Sequence, residues 1–229
     1  MTSGCFGRRK SVRSCMFITF EGLDFSGKST QAHRLRSALE QRPLPGAAEV
    51  RPVRFLREPG GTRISERLRE ILLDRKNLEL HETTELMLFA ASRAQIVAEV
   101  IRPSLERGEI VLCDRYADST TAYQGYGRGI DLNAIRHINR LATGGLNPDV
   151  TFFIDIDVEE IGRRRRAAGV PADRMEDAGM EFYRRARAGY RAVAADEPHR
   201  VLRIDGMASV EDVERAVWSA LGSARKSQG

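Results

Sequence analysis

Residues 17–31 hold the densest chemistry in the chain. Gly22, Gly27, Lys28 and Ser29 fit the spacing G-x-x-x-x-G-K-[ST], with Leu23, Asp24, Phe25 and Ser26 between the glycines and Thr30 just after. Small residues at these positions let backbone N–H groups converge on phosphate oxygens, and a helix starting there turns its N-terminus toward the anion. A lysine so placed reaches the β- and γ-phosphates of a nucleoside triphosphate, and the following hydroxyl can bind Mg²⁺. A Gly-rich turn with a surface lysine would fit the same pattern, so context decides. An apolar, β-type run at 17–20 precedes the motif, and an amphipathic stretch with Ala32, Leu35 and Leu39 follows it. That is the strand–loop–helix setting the motif requires.

Further candidates are spread along the chain. Arg57-Glu58-Pro59-Gly60-Gly61-Thr62 is a turn at the end of a strand-like run, where α/β proteins place ligand loops. Phe89 and Arg93 lie four apart on one helical face; periodicity alone reads them as a core phenylalanine beside a surface arginine. Asp114-Arg115-Tyr116 closes an apolar strand, and an acid in that place is the expected partner of Mg²⁺ or its waters. Residues 118–129 are polar and Gly-rich, and suit either a surface loop or recognition of a base and sugar. Arg163-Arg164-Arg165-Arg166 reads as a solvated basic helix face or as a set of cations for phosphate.

The elements that must position these groups alternate. Strands are expected at 17–21, 50–56, 109–113, 150–156 and 201–205. Helices are expected after the phosphate loop and at 64–73, 82–107 (kinked or ended by Pro103), 130–141, from 158 to the arginine run, 182–194 and 210–221. This order predicts an α/β fold of the P-loop NTPase type, a five-stranded parallel sheet with helices on both faces and right-handed crossovers.

Composition is that of an ordinary soluble chain: 229 residues, 41% hydrophobic and 30% charged. It suits one domain, expected over 16–225, after a basic, disordered tail at 1–15. The net charge of +5 is concentrated in that tail and in residues 162–191, which argues against a general nucleic-acid surface. No apolar run approaches the ~20 residues of a membrane span. Cys5, Cys15 and Cys113 have neither metal-ligand nor disulfide spacing, and no signal peptide is read at the start, so a cytoplasmic protein is expected.

Taken together and in order, the phosphate loop, Arg57 to Thr62, Leu88-Phe89-Ala90-Ala91-Ser92-Arg93, Asp114-Arg115-Tyr116, Ala122-Tyr123-Gln124-Gly125 and Asp173-Arg174-Met175-Glu176 resemble bacterial thymidylate kinases over about 16–222. The resemblance implies phosphoryl transfer from MgATP to dTMP, with Gly22 through Thr30 holding ATP and Lys28 and Asp24 acting in catalysis. It implies that Phe89 stacks on thymine, Arg93 bonds the base, and Thr120 and Gln124 face it. Tyr123 would pack where a ribose 2′-hydroxyl would lie, Arg69 and Arg115 would hold the monophosphate, and Glu58, Pro59 and Ser119 would line the same region. Ser29 and Asp114 are the expected Mg²⁺ ligands, directly or through water. A homodimer formed through helices is also implied, with no nucleic-acid or membrane partner.

In some members the phosphate loop carries an arginine; here that place is Phe25. Charge on the transferring phosphoryl group must then be met elsewhere, and a lid at about 162–177 with Arg163, Arg165, Arg166 and Arg174 is the expected source. Members often carry arginines where this chain has Ala167 and Gly169. The competing readings are another nucleoside or nucleoside monophosphate kinase on the same scaffold, and a nucleotide-dependent nucleic-acid-binding protein.

Overall fold

The computed structural model describes residues 15–169 and 179–227. All but Cys15 of the expected tail, and residues 170–177 of the expected lid with Arg174, lie outside them. Five strands form one parallel sheet in the order β2-β3-β1-β4-β5: β1 (Met16–Glu21), β2 (Val53–Arg57), β3 (Ile110–Asp114), β4 (Val150–Asp155) and β5 (Val201–Asp205). The three inner strands are buried along their whole length, which is why they read as near-continuous apolar runs.

Period-2 alternation sends their side chains to the two faces of the sheet. Met16, Ile18 and Phe20 pack with Leu112 and Phe152 beneath α1 (Lys28–Gln41) and α9 (Val210–Ser227). Phe17, Val111 and Cys113 face Ile96, Val97 and Ile101 on the other side. Phe153 meets Phe182 and Tyr190 of α8 (Met180–Asp196). Between these latter clusters runs a polar seam. The Thr19 and Thr151 hydroxyls are 2.7 Å apart, and Arg200 donates to Thr151 (2.8 Å) and Asp118 (2.7 Å).

Two segments differ from expectation. The single helix expected at 82–107 is α3 (Glu82–Ile96), a widened π-type turn at Val97–Ile101, and α4 (Arg102–Glu106). Pro103 has no N–H to offer the carbonyl four residues back and its ring crowds that carbonyl; the widened turn lies immediately upstream of it. The polar stretch at 118–129 is not a surface loop. It is helical, α5 (Ala117–Thr120) running into a π turn at Thr121–Gly127, with Ala122 through Gly125 buried. The remaining helices are α2 (Arg63–Leu73), α6 (Leu132–Thr143) and α7 (Val158–Ala168).

The reason for the glycines in this stretch is close packing on α8. A Cβ on Gly127 would lie 2.6 Å from the Phe182 ring, and one on Gly189 of α8 would lie 2.8 Å from the ring of Tyr126. Each segment thus offers a glycine to the other's aromatic ring. Helix propensity alone favours alanine over glycine at position 189 by about 1 kcal/mol. We expect the contact to outweigh it, so that Gly189→Ala lowers stability by about 1–3 kcal/mol, the range for overpacked sites. Urea unfolding measures this, and unchanged or raised stability would contradict the packing account.

Candidate active site

The loops after β1 and β3 leave the carboxyl ends of adjacent strands in opposite directions across the sheet, the place where open α/β sheets bind ligands. After β1 the chain turns through Gly22 (φ +145°) and Gly27 (φ +91°) into α1. A Cβ on Gly22 would sit 2.5 Å from the Ile154 carbonyl oxygen, whereas at Gly27 the space is open for 4 Å. The first glycine is needed for close packing, the second for its left-handed backbone. Lys28 is buried, with Nζ 3.5 Å from the Leu23 carbonyl oxygen. Burial and Arg115 pull its pKa down, against Asp114, Asp24 and Glu21.

The Ser29 hydroxyl donates to Asp114 Oδ2, which brings the loop and the end of β3 together. Asp114 Oδ1 is buried and has no hydrogen-bond partner among the described residues. A hydroxyl and a carboxylate with an unused oxygen beside a phosphate cradle fit Mg²⁺, which commonly takes one or two protein oxygens and completes its shell with water and phosphate.

Arg115 joins this loop to the neighbouring cleft. Its φ of +72° is a left-handed conformation that non-glycine residues seldom adopt. Its Nη2 donates to Asp24 Oδ1 (2.5 Å) and the Tyr123 hydroxyl (3.3 Å). Its Nη1 reaches the Gly22 carbonyl (2.9 Å), Tyr190 (3.1 Å) and Ser119 (3.2 Å). Tyr123 donates in turn to Asp24 Oδ2 at 3.0 Å. Burial would raise the Asp24 carboxyl, yet Arg115 and Lys28 hold it below the usual carboxylate range.

Beneath Arg115 lies Glu21, the buried last residue of β1. It accepts from the backbone N–H of Tyr116 (2.7 Å), the Ser119 hydroxyl (2.6 Å) and the Tyr190 hydroxyl (2.9 Å). The same two hydroxyls therefore contact both Glu21 and Arg115.

The cleft encloses about 630 Å³, counting its open mouth, and is lined among others by Glu58, Pro59, Arg69, Phe89, Tyr123 and Gln124. Phe89 is half-buried and on the wall rather than in the core. Arg93 is not at the surface. It is 2% exposed, with Nε on Glu58 (2.8 Å), Nη1 on Thr120 (2.9 Å) and Asn139 (3.1 Å), and Nη2 on the Tyr116 carbonyl (3.0 Å). Those bonds use four of the five guanidinium protons. Burial raises the Glu58 pKa more than Arg93 lowers it, and Glu58 Oε1 has no hydrogen-bond partner among the described residues. Arg69 donates to the Pro59 carbonyl at 2.9 Å, and the Glu58–Pro59 peptide is cis.

The arginine run divides. Arg163 is exposed and pairs with Glu160 (2.5 Å) rather than with the loop. Arg164, absent from the expected set, is the one that touches the phosphate loop. Its Nη1 lies 3.3 Å from the carbonyls of Phe25 and Ser26, and its Nη2 donates to Gly206 at 2.8 Å. The side chains of Arg165 and Arg166 make no hydrogen bond or ion pair among the described residues. Phe25, at φ +59°, packs against the cluster containing Leu23, Phe182 and Tyr183.

Sequence reasoning also passed over Glu21, Glu85, Asn139 and Tyr190. Glu85 had a usable signal, since 85, 89 and 93 repeat at four-residue intervals along one helical face. The others are brought in by tertiary packing, which periodicity does not encode.

Burial, with Asp118 nearby, pushes the Glu21 carboxyl up to about 7 from its ordinary 4.5, although Ser119, Arg115 and the Tyr116 N–H pull it down. The folded state therefore holds this proton more tightly than the unfolded chain between those values, and stability attributable to Glu21 falls as pH rises through the window. We expect the stability of the unaltered chain relative to Glu21→Gln to drop by about 2–3 kcal/mol between pH 5 and pH 8. Urea unfolding at stepped pH reads this, and a flat difference would contradict it.

Comparison with known proteins agrees with this geometry. The thymidylate kinase family model matches residues 20–217. A thymidylate kinase of Chlorobaculum parvum is 44% identical over 214 residues, covering 90% of this chain and 95% of its own. One from Roseiflexus castenholzii is 49% identical over 208 residues, covering 86% and 88%. The crystal structure of thymidylate kinase from Ehrlichia chaffeensis superposes with a TM-score of 0.72 at 39% identity, over 90% of this chain and 98% of that one. With a phosphate loop tied by Arg115 to a base-sized cleft, and with likeness of this extent, the chain belongs to the thymidylate kinase family.

Proposed function

We propose that the chain transfers the γ-phosphoryl group of ATP to the phosphate of dTMP, giving dTDP and ADP. The observation that carries this reading is Arg115, which touches Asp24 of the donor loop and lines the acceptor cleft. An acceptor whose base lies against Phe89 and whose phosphate reaches Arg115 and Arg69 has that phosphate turned toward the donor loop. The reaction is then in-line displacement governed by positioning and electrostatics. Gly22 to Thr30 hold the donor phosphates, with Lys28 meeting their charge. Asp24 fixes the Arg115 guanidinium and Tyr123 fills the sugar side.

Ser29 and Asp114 would hold Mg²⁺, which neutralises phosphate charge when bound. The 162–177 segment acts as the lid. Arg165, Arg166 and Arg174 are the cations proposed for the transferring group, Arg163 is a weaker candidate because of Glu160, and Arg164 secures the loop backbone.

We further propose a cytoplasmic homodimer that binds neither nucleic acid nor membrane. No described helix is long and apolar enough to cross a membrane, and Cys15 and Cys113 are free thiols. Ile71 on α2, Met87 on α3 and Leu141 on α6 are exposed large apolar side chains on helices that pack in the order α2, α3, α6. Sedimentation equilibrium should give twice the chain mass, with Leu141→Lys shifting it toward the monomer; a monomer at micromolar concentration would overturn this.

The activity is tested by an ADP-release assay across dTMP, dUMP, dGMP, CMP, AMP and thymidine. We expect dTMP to be preferred and thymidine refused. Lys28→Ala should abolish turnover, Arg69→Ala and Arg115→Ala should raise KM for dTMP by roughly tenfold or more, a charge-assisted bond being worth 1.5–3 kcal/mol. Asp114→Asn should raise the Mg²⁺ concentration needed while sparing KM for dTMP. Preference for another acceptor would refute the substrate assignment.

A further inference from the structure

The polar wall of the cleft is set from behind by a carboxylate that does not line it. Glu85 lies on α3 one turn before Phe89 and is fully buried. Its Oε1 accepts from Gln124 Nε2 at 2.9 Å, and its Oε2 from Arg128 Nη2 at 3.2 Å. Arg128 Nε stands 3.4 Å from Oε1, and its guanidinium lies 4.9 Å from the centre of the Phe182 ring.

A carboxylate flanked by a guanidinium accepts hydrogen bonds and does not donate them. The amide nitrogen of Gln124 must therefore face Glu85, and its oxygen must face the other way. Gln124 lines the cleft, and among the described residues no hydrogen bond ends on that oxygen. The wall thus offers an acceptor at Gln124 and, on Arg93, one remaining donor.

We propose that Glu85 is the positioning residue for base specificity: by fixing the Gln124 amide it presents an oxygen that accepts the ring N–H of a thymine-type base. Cytosine carries a bare ring nitrogen at that place, and two lone pairs would face each other. The inference rests on the reading of the cleft as a dTMP site. A hydrogen-bonding site discriminates by leaving a buried group unpaired when the complementary atom is absent.

The isosteric Glu85→Gln change gives a directional test. Arg128 only donates and its shorter bond is to Oε2 (3.2 Å, against 3.4 Å to Oε1), so the introduced amide turns its oxygen to Arg128 Nη2 and its N–H₂ to Gln124. The Gln124 amide then turns over and shows its N–H₂ to the cleft. We expect the ratio of kcat/KM for dTMP to that for dCMP to fall by about tenfold or more, through both a loss with dTMP and a gain with dCMP, and to be kept in Glu85→Asp. A purely structural role would depress both substrates alike and leave the ratio unchanged, and that result overturns the proposal.

Should Glu85→Gln not fold, the unaltered protein decides. dTMP methylated on the ring nitrogen should compete at least tenfold less well than dTMP, and equal competition overturns the assignment. If the unaltered protein does not prefer dTMP to dCMP, the dTMP reading itself falls and the inference with it. If it does prefer dTMP and only the ratio in Glu85→Gln is unmoved, Glu85 alone is wrongly assigned.

Discussion

The ion pair between Arg115 and Asp24 is the contact on which the rest of the site depends. It links the loop after β1 to the turn after β3, two strands that are direct neighbours in the sheet. Because both partners are largely withdrawn from water, the pair is strong only with the further bonds around it. Gly22, Ser119, Tyr123 and Tyr190 supply those to the guanidinium, and Tyr123 also bonds Asp24. A left-handed non-glycine residue costs on the order of 1–3 kcal/mol and persists where its surroundings over-determine it, and Arg115 has such surroundings.

Three buried carboxylates extend the same logic outward from this pair. Glu21 holds the hydroxyls that contact Arg115, Glu58 holds Arg93, and Glu85 holds Gln124. Glu21 and Glu85 stand one bond behind groups on the cleft wall, while Glu58 lines the wall beside Arg93. A wall whose donors and acceptors are tied from behind is set before a ligand arrives, and so loses less freedom on binding. The cost is burial of charge, visible in the raised pKa of Glu21 and Glu58.

Much of this was legible in the sequence because the signals were local. The phosphate loop is one contiguous motif, and buried parallel strands announce themselves as apolar runs. Phe89 and Arg93 were placed at the site through resemblance, since periodicity alone favoured a core and a surface position for them. The 118–129 stretch left two readings open because its glycines imitate a loop; their use is to admit Phe182 and Tyr126, and that contact spans some sixty residues of chain. Arg164 was missed for a related reason. A helix period divides the run into faces but cannot say which face meets Phe25 and Ser26.

The central claim is that Arg115 reads the acceptor's phosphate from within the donor loop's own hydrogen-bond network. Calorimetric titration of dTMP and of thymidine, without ATP, tests it most directly. The account predicts that dTMP binds at least tenfold more tightly than thymidine, as a charge-assisted bond to phosphate should give, and that Arg115→Met removes most of this advantage while leaving thymidine affinity nearly unchanged. Equal affinities in the unaltered protein, or an advantage that survives Arg115→Met undiminished, would contradict it.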